Sequence, residues 1–414
     1  MKSRTTWRRF AEPLVLVAFT VLVLPRAPVA DPVAQATPPA TTPALPKAVP
    51  APSFEAVAKK AAAAKEAGRY DDAIQLYRQA LKLKPAWLEG RFVLATLLYD
   101  HDHYEEARDE FRKLAQADAK NGLVIALMGL CEFRLKNYER ALRELQEARS
   151  LGIASVEVMQ VASYHAAILL NRFEQYESAF EILREFARQE KDSQGVIEAF
   201  GLSVLRMPFL PTEAPLDRRE MILMAGRAGF HQAKGRSTAF GRQAYEELVS
   251  RYPTAPNVHY AMGAYLLGEQ PEAALEEFKR ELRASPNHYH AMLQIAYELL
   301  KEGRFEEAKP YAEKAVELAP GLFAARNGLG RALLETGDVD GAIRELEMGV
   351  KLAPDSPELR FALARAYTKA GRNEDAARER AAFVKLERAR RTERSGPQSV
   401  GGKEGEPEEP PPRR

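Results

Sequence analysis

Residues 289–322 read YHAMLQIAYELLKEGRFEEAKPYAEKAVELAPGL, and the pattern of this stretch decides the fold. Met292, Ile295, Ala296 and Leu299 recur at three- and four-residue steps, which places them on one face of a first helix. Gly303 permits a turn, with Phe305 packed beneath it. Ala308, Ala312 and Ala315 then line a second helix whose small side chains let another helix come close. Pro320 ends it, because proline brings no N–H to the ladder and its ring clashes with the preceding turn. Such a hairpin leaves apolar surface in water unless a copy of itself covers it.

The copies are present. Ala73, Ala107 and Ala141 fall 34 residues apart, and Ala274, Ala308, Ala342 and Ala376 fall 34 apart again. Pro286, Pro320 and Pro354 keep the same period, and Pro253 precedes them by 33. A fixed period of this length with helical content means stacked hairpins. Unit 54–87 has Ala61, Gly68, Tyr70, Ala73, Ala80 and Pro85; unit 323–356 has Leu329, Gly330, Leu333, Gly337, Ala342, Leu346 and Pro354. The unit from 357 has Leu363, Ala364, Tyr367, Gly371 and Ala376. Units 88–121 and 122–155 keep Tyr104, Ala107 and Phe111, then Gly129, Tyr138 and Ala141, but lack the closing proline.

Those residues resemble the tetratricopeptide-repeat (TPR) family over 54–155 and 222–388. The resemblance implies an all-α, right-handed α-solenoid of stacked antiparallel helix hairpins, without catalytic activity and without a cofactor. Between the two blocks the period fails: Ala179 follows Ala141 by 38, and Gly241 comes 62 later. The extra length holds RMPFLPTEAPLD (206–217), whose three prolines break any helix. The expected organisation is a four-repeat block at 54–193, the last repeat distorted, and a five-repeat block at 222–388. An irregular segment at 194–221 separates them, with a lone helix at 194–206; helices at about 217–234 and 237–251 open the second block.

Outside the repeats the composition changes. Residues 1–9 are basic, Leu14 to Leu24 are apolar, and small residues with proline follow, the order of a secretory signal at 1–30. The apolar run of 11 is short for a membrane span, though an uncleaved inner-membrane anchor is the alternative. Residues 31–53 are a Pro/Ala/Thr-rich linker, with seven prolines between 31 and 52, and 389–414 form a Gly/Pro/Glu/Arg-rich tail expected to be disordered. The expected location is therefore periplasmic or envelope-associated. Net charge is +2, and the first 36 residues carry +3 of it, which speaks against a nucleic-acid partner.

Catalytic or metal chemistry finds no constellation. Cys131, the sole cysteine, sits in GLCEF as a small buried residue. His101 and His103, flanked by Asp100 and Asp102, fall in an inter-helix turn where their two-residue step does not converge ligands. His288 and His290 stand at a repeat entrance, and His231 is the lone histidine of 190–256. HExxH, CxxC, GxxxxGK[ST] and GxSxG are all missing. The glycines fall mostly at turns.

By resemblance to the family, the first helix of each hairpin lines a partner groove at the second, fifth, ninth and twelfth positions of each unit. These are Phe92, Tyr99 and Phe133 in the first block, with Thr96, Ala126 and Leu130 beside them. In the second block they are Tyr260, His290, Tyr297, Asn327, Arg331, Phe361 and Arg365, with Asn257, Ala264 and Leu293. Aromatic, amide and guanidinium groups together suit a protein or peptide ligand, especially an acidic one. The Lys/Asn carboxylate-gripping set of one family subtype is not reproduced at Asn327, Gly328 and Arg331. The expected function is a non-enzymatic scaffold; the alternative is an accessory protein of envelope polysaccharide or secretion machinery that also contacts glycan.

Overall fold

A computed structural model of the chain describes residues 52–235 and 239–395, with side chains to Thr392. The export segment expected at 1–30, nearly all of the linker, and the tail from 396 lie outside the described residues. Two compact units divide at Leu169/Leu170. The first contains α1 (Phe54–Glu66), α2 (Tyr70–Leu83), α3 (Leu88–Asp100), α4 (Tyr104–Ala117), α5 (Gly122–Arg134) and α6 (Tyr138–Leu151). The boundary falls within α7 (Val156–Arg172). The second contains α8 (Tyr176–Arg188), α9 (Gln194–Val204), α10 (Arg219–Lys234), α11 (Ala239–Arg251), α12 (Val258–Leu266) and α13 (Pro271–Ala284). It continues with α14 (Tyr289–Lys301), α15 (Phe305–Leu318), α16 (Phe323–Thr336), α17 (Val339–Leu352), α18 (Pro357–Lys369) and α19 (Asn373–Ser395). Among the described residues there is no strand. Both units are α-solenoids of helix hairpins.

The 34-residue alanines explain how each hairpin closes. Ala73, Ala107, Ala141, Ala179, Ala274, Ala308, Ala342 and Ala376 are all 0% exposed, each on the second helix of its hairpin where a larger side chain would push the first helix away. The turn between the helices is left-handed at one residue, φ 75° at Gly303 and 97° at Gly337. Asp102 and Lys136 adopt the same turn at φ 65° and 63° without glycine, which disfavours the turn slightly and leaves it intact.

A second repeating device ties the hairpins together. The Arg326 Nε–H donates to the Pro320 carbonyl at 2.9 Å, while its Nη1 reaches Glu345 at 2.6 Å. Arg91 makes the same pair of bonds to Pro85 and Glu110, and Arg360 to Pro354 and Glu379. His259 stands in for the arginine, bonded to the Pro253 carbonyl at 2.9 Å and to Glu277 at 2.6 Å. The closing proline thus does more than end a helix. Its carbonyl is gripped by the next first helix, which is in turn tied to its own second helix.

Three expectations need correction. The helix at 194–204 is not alone: α9 packs antiparallel on α10 at very short range. A Cβ on Gly201 would stand 1.9 Å from the Ile222 carbonyl oxygen, and one on Gly226 would stand 2.0 Å from that of Ile197. Those two glycines are therefore contact residues rather than turn residues, as are Gly263 against Phe278 and Gly330 against Leu346. The C-terminal tail also begins later than 389, because α19 runs to Ser395 as the last helix of the stack. In the described residues no helix is long and apolar enough to cross a membrane.

Candidate functional site

In the second unit, α14 packs on α16 and α16 on α18, whereas α15 and α17, the second helices, make at most marginal contact with each other. First helices that touch while second helices splay put α14, α16 and α18 on the inside of a curve. Those three helices carry the expected positions Tyr297, Asn327, Arg331, Phe361 and Arg365. In the first unit α3 and α5 do not pack directly in this way. Phe92 lies edge-on to the core ring of Phe111, Tyr99 lies against Tyr104, and Phe133 sits 4.5 Å from His165. His165 donates from Nδ1 to the Val161 carbonyl at 2.8 Å, and burial lowers its pKa to about 4, so the ring is neutral. Cys131 is buried, and its thiol is pushed up by burial and by Glu132 beside it.

One part of the second unit is internally complete. Arg206, at the left-handed residue after α9, reaches Glu177 at 2.5 Å and donates to His290 Nε2 at 2.9 Å. Its guanidinium also lies over the rings of Tyr176 (4.7 Å) and Tyr260 (5.4 Å). Tyr260 stacks on His288 at 4.9 Å. His288 Nδ1 accepts the Ala291 N–H, so Nε2 carries the proton donated to Asn257 Oδ1 at 2.8 Å. Beneath them the fully buried Glu281 accepts from the backbone N–H groups of Asn257 (2.8 Å) and Tyr260 (3.1 Å). Burial, reinforced by the charge of Arg206, lowers His290 to about 3. Burial opposes ionisation of Glu177, but Arg206 overrides it and holds the carboxyl below its usual range. Tyr260, 7% exposed, and His290 are therefore engaged within the chain rather than open to a partner.

Farther along, the face is less satisfied. The Tyr297 hydroxyl donates to the Ala324 carbonyl at 3.0 Å, and burial raises its pKa. Asn327 is 7% exposed, and its Oδ1 has no hydrogen-bond partner. Arg331 is half-buried. Arg365 pairs with Glu335 at 2.7 Å. Phe361 is 50% exposed, with Phe383 at 5.5 Å. Arg206 escaped sequence reasoning because it lies in the irregular segment, 84 residues from His290, where no period points to it.

His101 and His103 flank the α3–α4 turn as expected, the first against Tyr70 and the second near Glu106. His231 is half-buried between Phe230 and Phe240. Among the described residues, no group of three or more His, Cys, Asp or Glu converges as metal ligands would.

Family models described as tetratricopeptide repeat match residues 64–131 and 299–358, and a second such model matches 337–382. Among solved structures, MamA from Desulfovibrio magneticus RS-1 is 22% identical, covering 42% of this chain and 98% of its own, with a TM-score of 0.38. YrrB, described as a TPR protein with an unusual peptide-binding site, is 20% identical over 35% of this chain and 76% of its own, with a TM-score of 0.32. Neither transfers a shape or a ligand. No curated protein matches. With its 34-residue period, its buried alanines and matches to the repeat models in both units, the chain carries tetratricopeptide repeats over residues 64–131 and 299–382.

Proposed function

We propose that the chain is a non-enzymatic interaction scaffold that takes an extended stretch of a protein partner along the inner face of α14, α16 and α18. The observation that supports this reading is the direct packing of those three first helices, which carry Tyr297, Asn327, Arg331 and the half-exposed Phe361. Curved helical stacks present such faces as extended binding surfaces, and aromatic and arginine side chains are the residue types that anchor interfaces. A photo-crosslinking residue placed at 361 labels a discrete protein partner in cells, and the same group at 344, on the second-helix side, does not. Equal labelling from both positions rejects the groove.

The basic, then apolar, then small-residue N-terminus supports export to the periplasm or envelope. Fractionation with N-terminal sequencing tests it: a chain beginning near Asp31 or Thr37 in the envelope is the expected result. A cytosolic chain that retains Met1 rejects export and leaves the groove reading untouched.

A further inference from the structure

The grip on the proline carbonyl keeps a fixed register, so each copy can be set beside the others. Thirty-four residues on from Pro85, Arg91 and Glu110 stand Ala119, Ile125 and Glu144. Thirty-four back from Pro320, Arg326 and Glu345 stand Pro286, Met292 and Tyr311. Both copies lack the arginine, but in different ways. In the later one the acid is absent too, and Tyr311 packs with Met292 in one apolar cluster. In the earlier one the acid remains, and Ile125, 4% exposed, stands where its cation would be.

Glu144 is therefore a grip carboxyl without its guanidinium. Its Oε2 is shielded from solvent and has no hydrogen-bond partner. Glu132 and the Cys131 thiol face it from α5, Arg112 from α4, and Arg140 and Glu147 from its own helix. Neither arginine replaces the missing one. Arg140 donates to Glu132 at 3.1 Å, and Arg112 to Asp109 at 2.8 Å. The α4–α5 loop adds only Asp118 and Lys120, both exposed. An ionised Glu144 would be buried beside a second carboxylate, that of the 0% exposed Glu132, whereas a neutral acid needs no cation.

We propose that Glu144 makes the α5–α6 hairpin a proton-operated joint, held closed by the neutral acid and loosened when the carboxyl ionises. Burial, and then the charge of Glu132, raise the group to about 7, which brings the change close to neutrality. The closed form keeps a proton that the opened form releases near the ordinary 4.5, so closure is firmest in acid and weakens as pH rises through 7. The arginine joints keep their cation throughout this range, because a guanidinium does not deprotonate. This inference does not rest on the groove reading.

The test is hydrogen exchange of the full-length chain, read by mass spectrometry and corrected for intrinsic amide rates. Peptides from α5 and α6 are expected to open at least about tenfold more at about pH 7.5 than at about pH 5, and those from α16 and α17, held by Arg326, less than about threefold more. Glu144→Gln copies the neutral acid and should abolish the α5–α6 response while preserving protection in acid. Glu345→Gln, at the same register but gripped, should instead speed exchange in α16 and α17 at both pH values, because it strands Arg326. In the native chain, the 13C carboxyl resonance of Glu144 should titrate with a midpoint near 7. Ile125→Arg restores the cation and should bring that midpoint below 4.5. A native midpoint near 4.5, an equal pH response in the two hairpins, or an α5–α6 response that survives Glu144→Gln overturns the proposal.

Discussion

Replacing Arg326 with methionine removes the grip on the proline carbonyl together with the ion pair to Glu345. The arginine side chain is 8% exposed and Glu345 is 21% exposed, so the pair is largely out of water. Methionine keeps most of the aliphatic stem, which limits the packing loss. It strands the Pro320 carbonyl and the Glu345 carboxylate. Breaking one side of a buried pair costs about 3–5 kcal/mol, and the partial exposure of Glu345 puts this case near the low end, about 3 kcal/mol. The matched control is Arg365→Met. That arginine is also bonded to a glutamate at 2.7 Å but is 50% exposed, and such a pair contributes about 0.5 kcal/mol or less. Stacked repeats open in parts, so the assay must be local. Hydrogen exchange of α16 and α17 amides, read by mass spectrometry, should accelerate roughly a hundredfold in Arg326→Met, at tenfold per 1.4 kcal/mol, and by less than about threefold in Arg365→Met. Arg326→Met combined with Glu345→Leu should recover most of the loss, because no charge is left stranded. Equal exchange in the two single variants would refute the reasoning, since burial and the bond to the Pro320 carbonyl are what set Arg326 apart from Arg365.

Three further outcomes follow from the same geometry. Gly201→Ala and Gly226→Ala should each lower the melting transition by at least the equivalent of about 2–3 kcal/mol, because the added carbon meets a carbonyl oxygen across the helix pair; Gly321→Ala, with open space, should not. Glu144 is raised to about 7 by burial and by the charge of Glu132. Its folded form holds a proton that the unfolded form releases near the ordinary carboxylate value, so stability falls as pH rises from about 4.5 to 7. Glu144→Gln should flatten that part of a melting-temperature profile. His290 moves the other way: its folded value is depressed to about 3 by burial and Arg206, so the unfolded chain binds the proton first and stability drops as pH falls below about 6.5. By NMR its ring should stay neutral from about pH 7 down to 5, and Arg206→Met should bring its titration toward the ordinary range.

Much of the fold was legible because a repeat states its own constraints many times. The small residue on each second helix, the turn at Gly303 or Gly337 and the proline after each second helix all appear at a common spacing. The proline–arginine–glutamate grip carried a signal too, since Arg91, Arg326 and Arg360 each follow a proline by six residues and precede a glutamate by 19. Read alone, each arginine resembles any exposed helix charge. The α9–α10 pair was harder. Gly201 and Gly226 look like helix-weakening residues until the partner backbone is seen against them.

The candidate site divides along the same line. Sequence placed Tyr297, Asn327, Arg331 and Phe361 on first helices, because helical periodicity and the repeat register are local properties. It placed Tyr260 and His290 there by the same rule, yet an arginine from the irregular segment bonds His290 and covers Tyr260. Periodicity determines which face of a helix a residue occupies. Only packing decides whether that face stays open, because burial, pairing and desolvation depend on segments brought together from far apart in the chain. Arg331 and Arg365 belong to the same set of groove positions, and the single carboxylate of Glu335 separates them, pairing with Arg365 and leaving Arg331 without one.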